Sequence, residues 1–170
     1  VFTNPTGSNF TRGVVSALLQ EVSAGGALDA DIAVLELDEA YAVHFVEQVR
    51  PDYALLLNVM RDQLDRFGEI DNTARLLSRV AAATTGTVVL NREDPRIAAL
   101  AQVVPSGART VHFGLSQALR QFFPTDDDMA TTFERDAAPA SAPAEPTAGT
   151  VADVMLTGVG DHRAQLLIDG

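Results

Sequence analysis

The stretch that most constrains the fold is Leu55-Leu56-Leu57-Asn58-Val59-Met60-Arg61-Asp62-Gln63-Leu64-Asp65-Arg66-Phe67-Gly68-Glu69. It opens as a short continuous apolar run, the pattern of a buried parallel strand, and turns polar at Asn58. Upstream, Ile32-Ala33-Val34-Leu35 runs into Glu36-Leu37-Asp38-Glu39 in the same way, and downstream Thr87-Val88-Val89-Leu90 ends at Asn91. Open α/β sheets bind ligands beyond the carboxyl ends of their strands, so Asn58, Asp62, Gln63 and Asp65 fall where chemistry would sit. Two strand ends loaded with carboxylates suit a hard, oxygen-liganded cation such as Mg²⁺, usually carried with a phosphate. The same acids serve equally well as helix caps and solvated loop residues, and spacing alone does not separate the two readings.

Between these runs the period changes to that of helices. Val14, Val15, Leu18, Leu19 and Val22 mark a helix with Thr11 as its N-cap, entered through a Gly-, Ser-, Thr- and Asn-rich loop from Asn4 to Arg12. Such a loop at a helix N-terminus is either a natural anion site or a well-capped connection. Gly25-Gly26 ends that helix. Ala42, Phe45, Val46 and Val49 place another helix over 39–49, with Pro51 past its end. Strand, helix, strand in this order predicts a βαβ unit in which 32–37 and the run at 55–57 form a parallel pair. A further helix covers 70–83, with Ile70, Ala74, Leu77 and Ala81 as its inner face, and Thr84-Thr85-Gly86 stops it. Asp94-Pro95 opens the next helix, Asp at the cap and Pro at its first position. Thr110 to Gly114 reads as a strand. Residues 151–156 and 165–168 read as a hairpin turning at Gly158 to Asp161, with Val154, Leu156, Leu166 and Ile168 partly buried. His44 and His112 read as structural, since neither has a second ligand at metal spacing.

Composition narrows the class. The chain has 170 residues, enough for one domain with a sizeable core, and a formal charge of −11 that argues against nucleic acid and against a polybasic membrane anchor. No apolar run approaches the ~20 residues of a transmembrane segment, and no signal peptide is visible, so the cytoplasm is the default compartment. There is no cysteine, hence no disulfide and no thiolate metal site. The twelve basic residues are all arginine, so the chain lacks the lysine that a P-loop places on phosphates. Residues 137–149 are Ala, Pro, Ser, Thr, Glu and Gly, which cannot bury enough apolar surface to order themselves, and 116–150 reads as a flexible insertion. The triplet Asp126-Asp127-Asp128 within it lacks calcium-loop spacing and reads as solvated.

Four segments resemble the central domain of the Mur ligases, which join an amine to a carboxylate using ATP. They are Thr3 to Gly13, Leu35-Glu36-Leu37-Asp38-Glu39-Ala40, Asn58 to Glu69, and Leu90-Asn91-Arg92-Glu93-Asp94-Pro95. The most specific piece, Asp62-Gln63-Leu64-Asp65-Arg66-Phe67-Gly68-Glu69, carries Asp-Gln where most members carry Asp-His. In that respect it is similar to the MurT-type subunits of lipid II isoglutaminyl synthase. The resemblance implies an α/β fold, a mostly parallel sheet flanked by helices in a truncated, P-loop-NTPase-like central domain, closed by a C-terminal β-hairpin. It also implies that 1–170 is an internal portion of a longer ligase subunit, consistent with a chain that opens at Val1 rather than methionine.

By the same resemblance, Glu36 holds Mg²⁺ on the ATP phosphates, and Asn58 and Asp62 occupy the loop that arranges a second metal and the acceptor carboxylate. Gln63 replaces the usual histidine and puts that second metal in doubt. Asn91 and Asp94 lie at the nucleotide side, and Thr6, Ser8 and Asn9 at the substrate side. The zinc ribbon of many MurT-like chains is not expected here, because its four cysteines are missing. The implied reaction activates the α-carboxyl of D-glutamate in the lipid II stem peptide as an acyl phosphate. Ammonia from a GatD-type glutaminase subunit then attacks it at the membrane face. Two rivals stand: a Mur or folylpolyglutamate-type amino-acid ligase, and a binding or scaffold domain that turns nothing over.

Overall fold

The computed structural model describes residues 1–4, 11–59, 69–123 and 151–169. Its contacts divide the chain into two compact units, Val1–Val49 and Arg50–Gly170.

In the first unit, β1 (Phe2–Thr3) pairs in parallel with β2 (Ala33–Val34), Phe2 opposite Ala33. Two helices accompany this ribbon, α1 (Thr11–Glu21) and α2 (Glu39–Gln48). The interior collects Phe2, Val14, Ala17, Ala42, Val43 and Val46. The inner face of α1 thus runs through Val14 and Ala17, whereas Val15 and Leu19, expected inside, face solvent. Five apolar positions at 14, 15, 18, 19 and 22 span more than the stripe one contact can cover, so one flank stays wet. Thr11 is the first helical residue rather than the cap. Asp38 caps α2, its carboxylate accepting the Ala40 N–H at 3.0 Å.

The second unit is built on a five-stranded sheet in the order β3-β4-β5-β6-β7. The strands are β3 (Tyr53–Leu56), β4 (Thr87–Asn91), β5 (Arg109–Leu115), β6 (Val154–Gly160) and β7 (Arg163–Ile168). The first four run parallel and β7 returns antiparallel, which gives the mostly parallel, helix-flanked α/β sheet with a closing hairpin. Its helical elements are α3 (Glu69–Ala83), α4 (Pro95–Ala99) continued by a 3₁₀ turn at Leu100–Val103, and the short α5 (Gln117–Arg120).

β4 lies inside the sheet with Val88 and Leu90 fully buried, and Val80, Ala81, Ile97 and Leu100 of the helical elements are buried as well. Each such branched side chain taken from water contributes about 1.5–3 kcal/mol. At the amino end of β4, Gly86 N–H donates to the Asp52 carbonyl at 3.0 Å, and a Cβ there would meet that same oxygen at 2.5 Å. Only glycine allows this approach.

Two sequence expectations differ from the structure, and within the two units β2 partners β1 and β3 partners β4. β3 is an edge strand that buries alternate residues, so Leu56 is inside while Leu55 and Leu57 are exposed. A continuous apolar run predicts cover on both faces, but period-two burial is what a strand covered on one face shows. In the hairpin, Val154 and Leu156 are half-buried, but Leu166 and Ile168 are exposed.

Candidate functional site

At the carboxyl end of β2, the side chain of Asn4 reaches the backbone of Glu36. Its Nδ2 donates to the Glu36 carbonyl at 2.8 Å and its Oδ1 accepts the Glu36 N–H at 2.9 Å. A buried carboxamide (8% exposed) thus extends the β1–β2 ladder by one rung, after both strands have stopped. Glu36 itself is exposed, and its carboxylate has no hydrogen-bond or ion-pair partner among the described residues. Its main chain is fixed while its acid is available, the donor chemistry a hard divalent cation accepts. Reading the chain by segments missed Asn4, because its partner lies 32 residues away.

The second unit organises the carboxyl ends of β3, β4 and β5 through three side chains of one turn, Asn91, Glu93 and Asp94. Asn91, the last residue of β4, accepts the Glu93 N–H on Oδ1 at 2.9 Å and so folds the turn that follows. Asp94 is buried (9% exposed) and divides its carboxylate between two tasks. Oδ1 accepts Arg96 and Ile97 N–H at 2.9 and 3.2 Å, capping α4, and Oδ2 accepts Val59 N–H at 2.7 Å. The second bond ties the chain leaving β3 to the turn leaving β4, so Asn58 is held beside Asn91 to Asp94, with its own side chain exposed. Asp94 therefore acts here on backbone, with both oxygens engaged.

Between them, Glu93 draws two arginines together. Its Oε1 accepts Arg92 Nε at 3.1 Å and Leu115 N–H at 2.9 Å, and its Oε2 accepts Arg120 Nε at 2.9 Å. Arg92 also donates to the Leu115 carbonyl at 2.6 Å. This cluster lies over Gly114, where a Cβ would stand 2.6 Å from Glu93 Oε1, so a side chain on β5 at that point would push the Glu93 and Arg92 side chains aside. Burial pushes the Glu93 carboxyl up, but the Leu115 N–H and the two guanidinium groups outweigh it and hold the group below its usual value. On β5, His112 is held below the ordinary imidazole value, first by burial, with Asp153 opposing and Arg92 reinforcing. Asp153 accepts the His112 N–H at 2.7 Å. The resemblance pointed to Asn91 and Asp94; Glu93 and Arg120 were not singled out, since 27 residues separate them.

Thr6, Ser8, Asn9, Asp62 and Gln63 lie outside the described residues, as do Asp65 and Arg66. Among the described residues no three His, Cys, Asp or Glu side chains gather as a metal cluster, and no helix is long and apolar enough to cross a membrane. The candidate residues divide between units: Asn4 and Glu36 in the first, Asn58, Asn91 and Asp94 in the second.

Comparison with known proteins supplies the context. Over 96 residues the chain is 38% identical to the MurT subunit of lipid II isoglutaminyl synthase (glutamine-hydrolyzing) from Streptococcus pneumoniae, covering 56% of this chain and 21% of that protein. The Staphylococcus aureus MurT subunit is 31% identical over 97 residues, 57% of this chain and 21% of its own length. UDP-N-acetylmuramoylalanine–D-glutamate ligase from Paraburkholderia phymatum is 36% identical over 90 residues, 53% of this chain and 18% of that enzyme. The matched region is thus about a fifth of each relative's length. The Mur ligase middle domain model matches residues 9–141, most of the chain and all the elements from α1 to α5. The chain belongs to the Mur ligase middle domain family.

Proposed function

We propose that this chain is the ATP- and Mg²⁺-handling portion of a cytoplasmic carbon–nitrogen ligase in peptidoglycan synthesis. In this reading it serves a lipid II isoglutaminyl synthase that amidates the D-glutamate α-carboxyl. The observation that carries the reading is the Asn4 clamp, which fixes the main chain of Glu36 at a strand's carboxyl end and leaves its carboxylate available. Bound Mg-ATP would supply the phosphoryl group that activates the acceptor carboxyl, and the ion would offset charge on that group. Glu36 would hold the ion, and Asn4 would keep Glu36 from withdrawing. Asp94 would orient the loop carrying Asn58 through Val59, and Asn91 would shape the turn on the nucleotide side. Asp62 and Asn58 would address the acceptor carboxylate, Gln63 would stand where a second metal ligand is usual, and Thr6, Ser8 and Asn9 would face the stem peptide. Ammonia from a GatD-type glutaminase subunit would displace phosphate and leave the amide. The MurT relatives support this acceptor over others.

The test is amidation of lipid II by the ligase subunit containing this chain, reconstituted with its glutaminase and Mg-ATP. Glu36→Ala should lower turnover at least ~100-fold, as expected when a transition-state charge partner is lost, and leave the thermal transition unchanged. Wild-type turnover by that variant would remove Glu36 from the mechanism. A second reading, an amino-acid-adding ligase, draws support from the likeness to D-glutamate ligases. Product mass decides: an amide for the first, an amino-acid adduct for the second.

A further inference from the structure

We infer that Glu93 is a positioning residue for the nucleotide: by fixing the turn after β4 it commits Asn91 to donate a hydrogen bond to an acceptor atom of ATP. This rests on the ligase reading above, in which Asn91 stands on the nucleotide side. β4 and β5 run in parallel as far as the pair Asn91 and Phe113, and Arg92 N–H still donates to the Phe113 carbonyl at 2.9 Å. The next rung of a parallel ladder carries Leu115 N–H to the Arg92 carbonyl. Glu93 Oε1 takes that N–H instead, at 2.9 Å. The carboxylate thus ends the ladder and releases the main chain from β5 at one fixed point.

Two arginines hold the carboxylate in that place, one on each oxygen. Arg92 Nε donates to Oε1 at 3.1 Å and Arg120 Nε to Oε2 at 2.9 Å, and the acid's side chain is only 10% exposed. A carboxylate accepts on both oxygens and donates nothing, which is what three converging donors require. A glutamine of the same length would set an NH₂ group against one of them. With its side chain held, Glu93 gives its own N–H to Asn91 Oδ1 at 2.9 Å. That bond decides which end of the Asn91 amide is which. The oxygen is engaged inside the turn, while Nδ2, with its two N–H groups, has no partner among the described residues. What Asn91 has left to offer a ligand is a pair of donors. The group it meets is therefore an acceptor: a ring nitrogen, a ribose oxygen or a phosphate oxygen of the nucleotide.

The experiment is steady-state amidation by the ligase subunit containing this chain, with its glutaminase, saturating lipid II and glutamine, and Mg-ATP varied. The temperature is one at which circular dichroism shows every variant folded. Glu93→Gln should raise the KM for Mg-ATP about tenfold and change kcat by less than about threefold. A partly unfolded sample lowers kcat and leaves KM alone, so the split separates positioning from lost fold. Asn91→Asp keeps the acceptor for the Glu93 N–H and loses the donor pair, and should raise KM about tenfold by itself. In the double variant N91D/E93Q, KM should stay within about twofold of Asn91→Asp, because Glu93 acts through a donor already gone. Independent effects would multiply to about a hundredfold and overturn the inference. If Glu93→Gln fails to fold, Arg120→Gln at the more exposed end of the cluster takes its place, with a KM rise of about threefold that Asn91→Asp again cancels. A subunit that makes no amide with Mg-ATP overturns the ligase reading and this inference together. Amide formation with a KM that neither substitution moves overturns this inference alone.

Discussion

Asp94 shows how much one side chain can hold. Three backbone N–H groups converge on its carboxylate, two at the start of α4 and one at Val59. Asp94→Ala uncaps the helix and strands the buried Val59 donor, so it should cost about 2–4 kcal/mol, read as a fall in the urea midpoint of unfolding. The cap was legible in Asp94-Pro95 because capping is local. The Val59 bond was not, because nothing in the string 91–95 says which distant N–H will arrive there. The same divide separates Glu36, which stands out at a polar strand end, from Asn4, whose amide pattern matches a backbone 32 residues on. Spacing finds an exposed acid at a strand end more readily than the buried amide that holds its main chain in place.

At the scale of elements, sequence period locates the helices nearly in full and the strands by position more than by surroundings. α3 and α4 fall where their period and caps put them, and β4 and β5 likewise. Periodicity tells which residues share a face but not what covers it, hence the wet Leu55, Leu166 and Ile168. The hairpin turn moved as well: 158–161 looked suitable for its glycines, yet the corner is Asp161-His162, with φ of 50° and 58°. Both values belong to the mirror-image turn that matches strand twist, which Asp tolerates and His adopts at a cost. His162→Gly removes that strain and should stabilise the chain by about 0.5–1 kcal/mol, visible as a higher melting temperature by circular dichroism.

Among the described residues, pH acts on the fold through Glu93 and His112, both held below their ordinary values of 4.5 and 6.5. The unfolded chain binds more protons at these groups than the folded one, so their stabilisation is present above the ordinary value and fades on acidification. His112 should weaken the fold as pH falls below about 6.5, and Glu93 should do so below about 4.5. Urea midpoints measured from pH 8 to pH 4 should therefore decline in two stages, and His112→Gln should flatten only the upper one.

The clamps on either side of β5 bear on evolution by insertion. Arg120 is locked to Glu93 just after β5 ends, and Asp153 is locked to His112 just before β6 begins. Whatever joins those two anchor points therefore enters and leaves from fixed positions, and the entropy of closing it grows only as the logarithm of its length, ~0.6 kcal/mol per doubling. The crossover can act as an exchangeable cassette, lengthened, shortened or replaced by another module while the strands on each side keep their alignment.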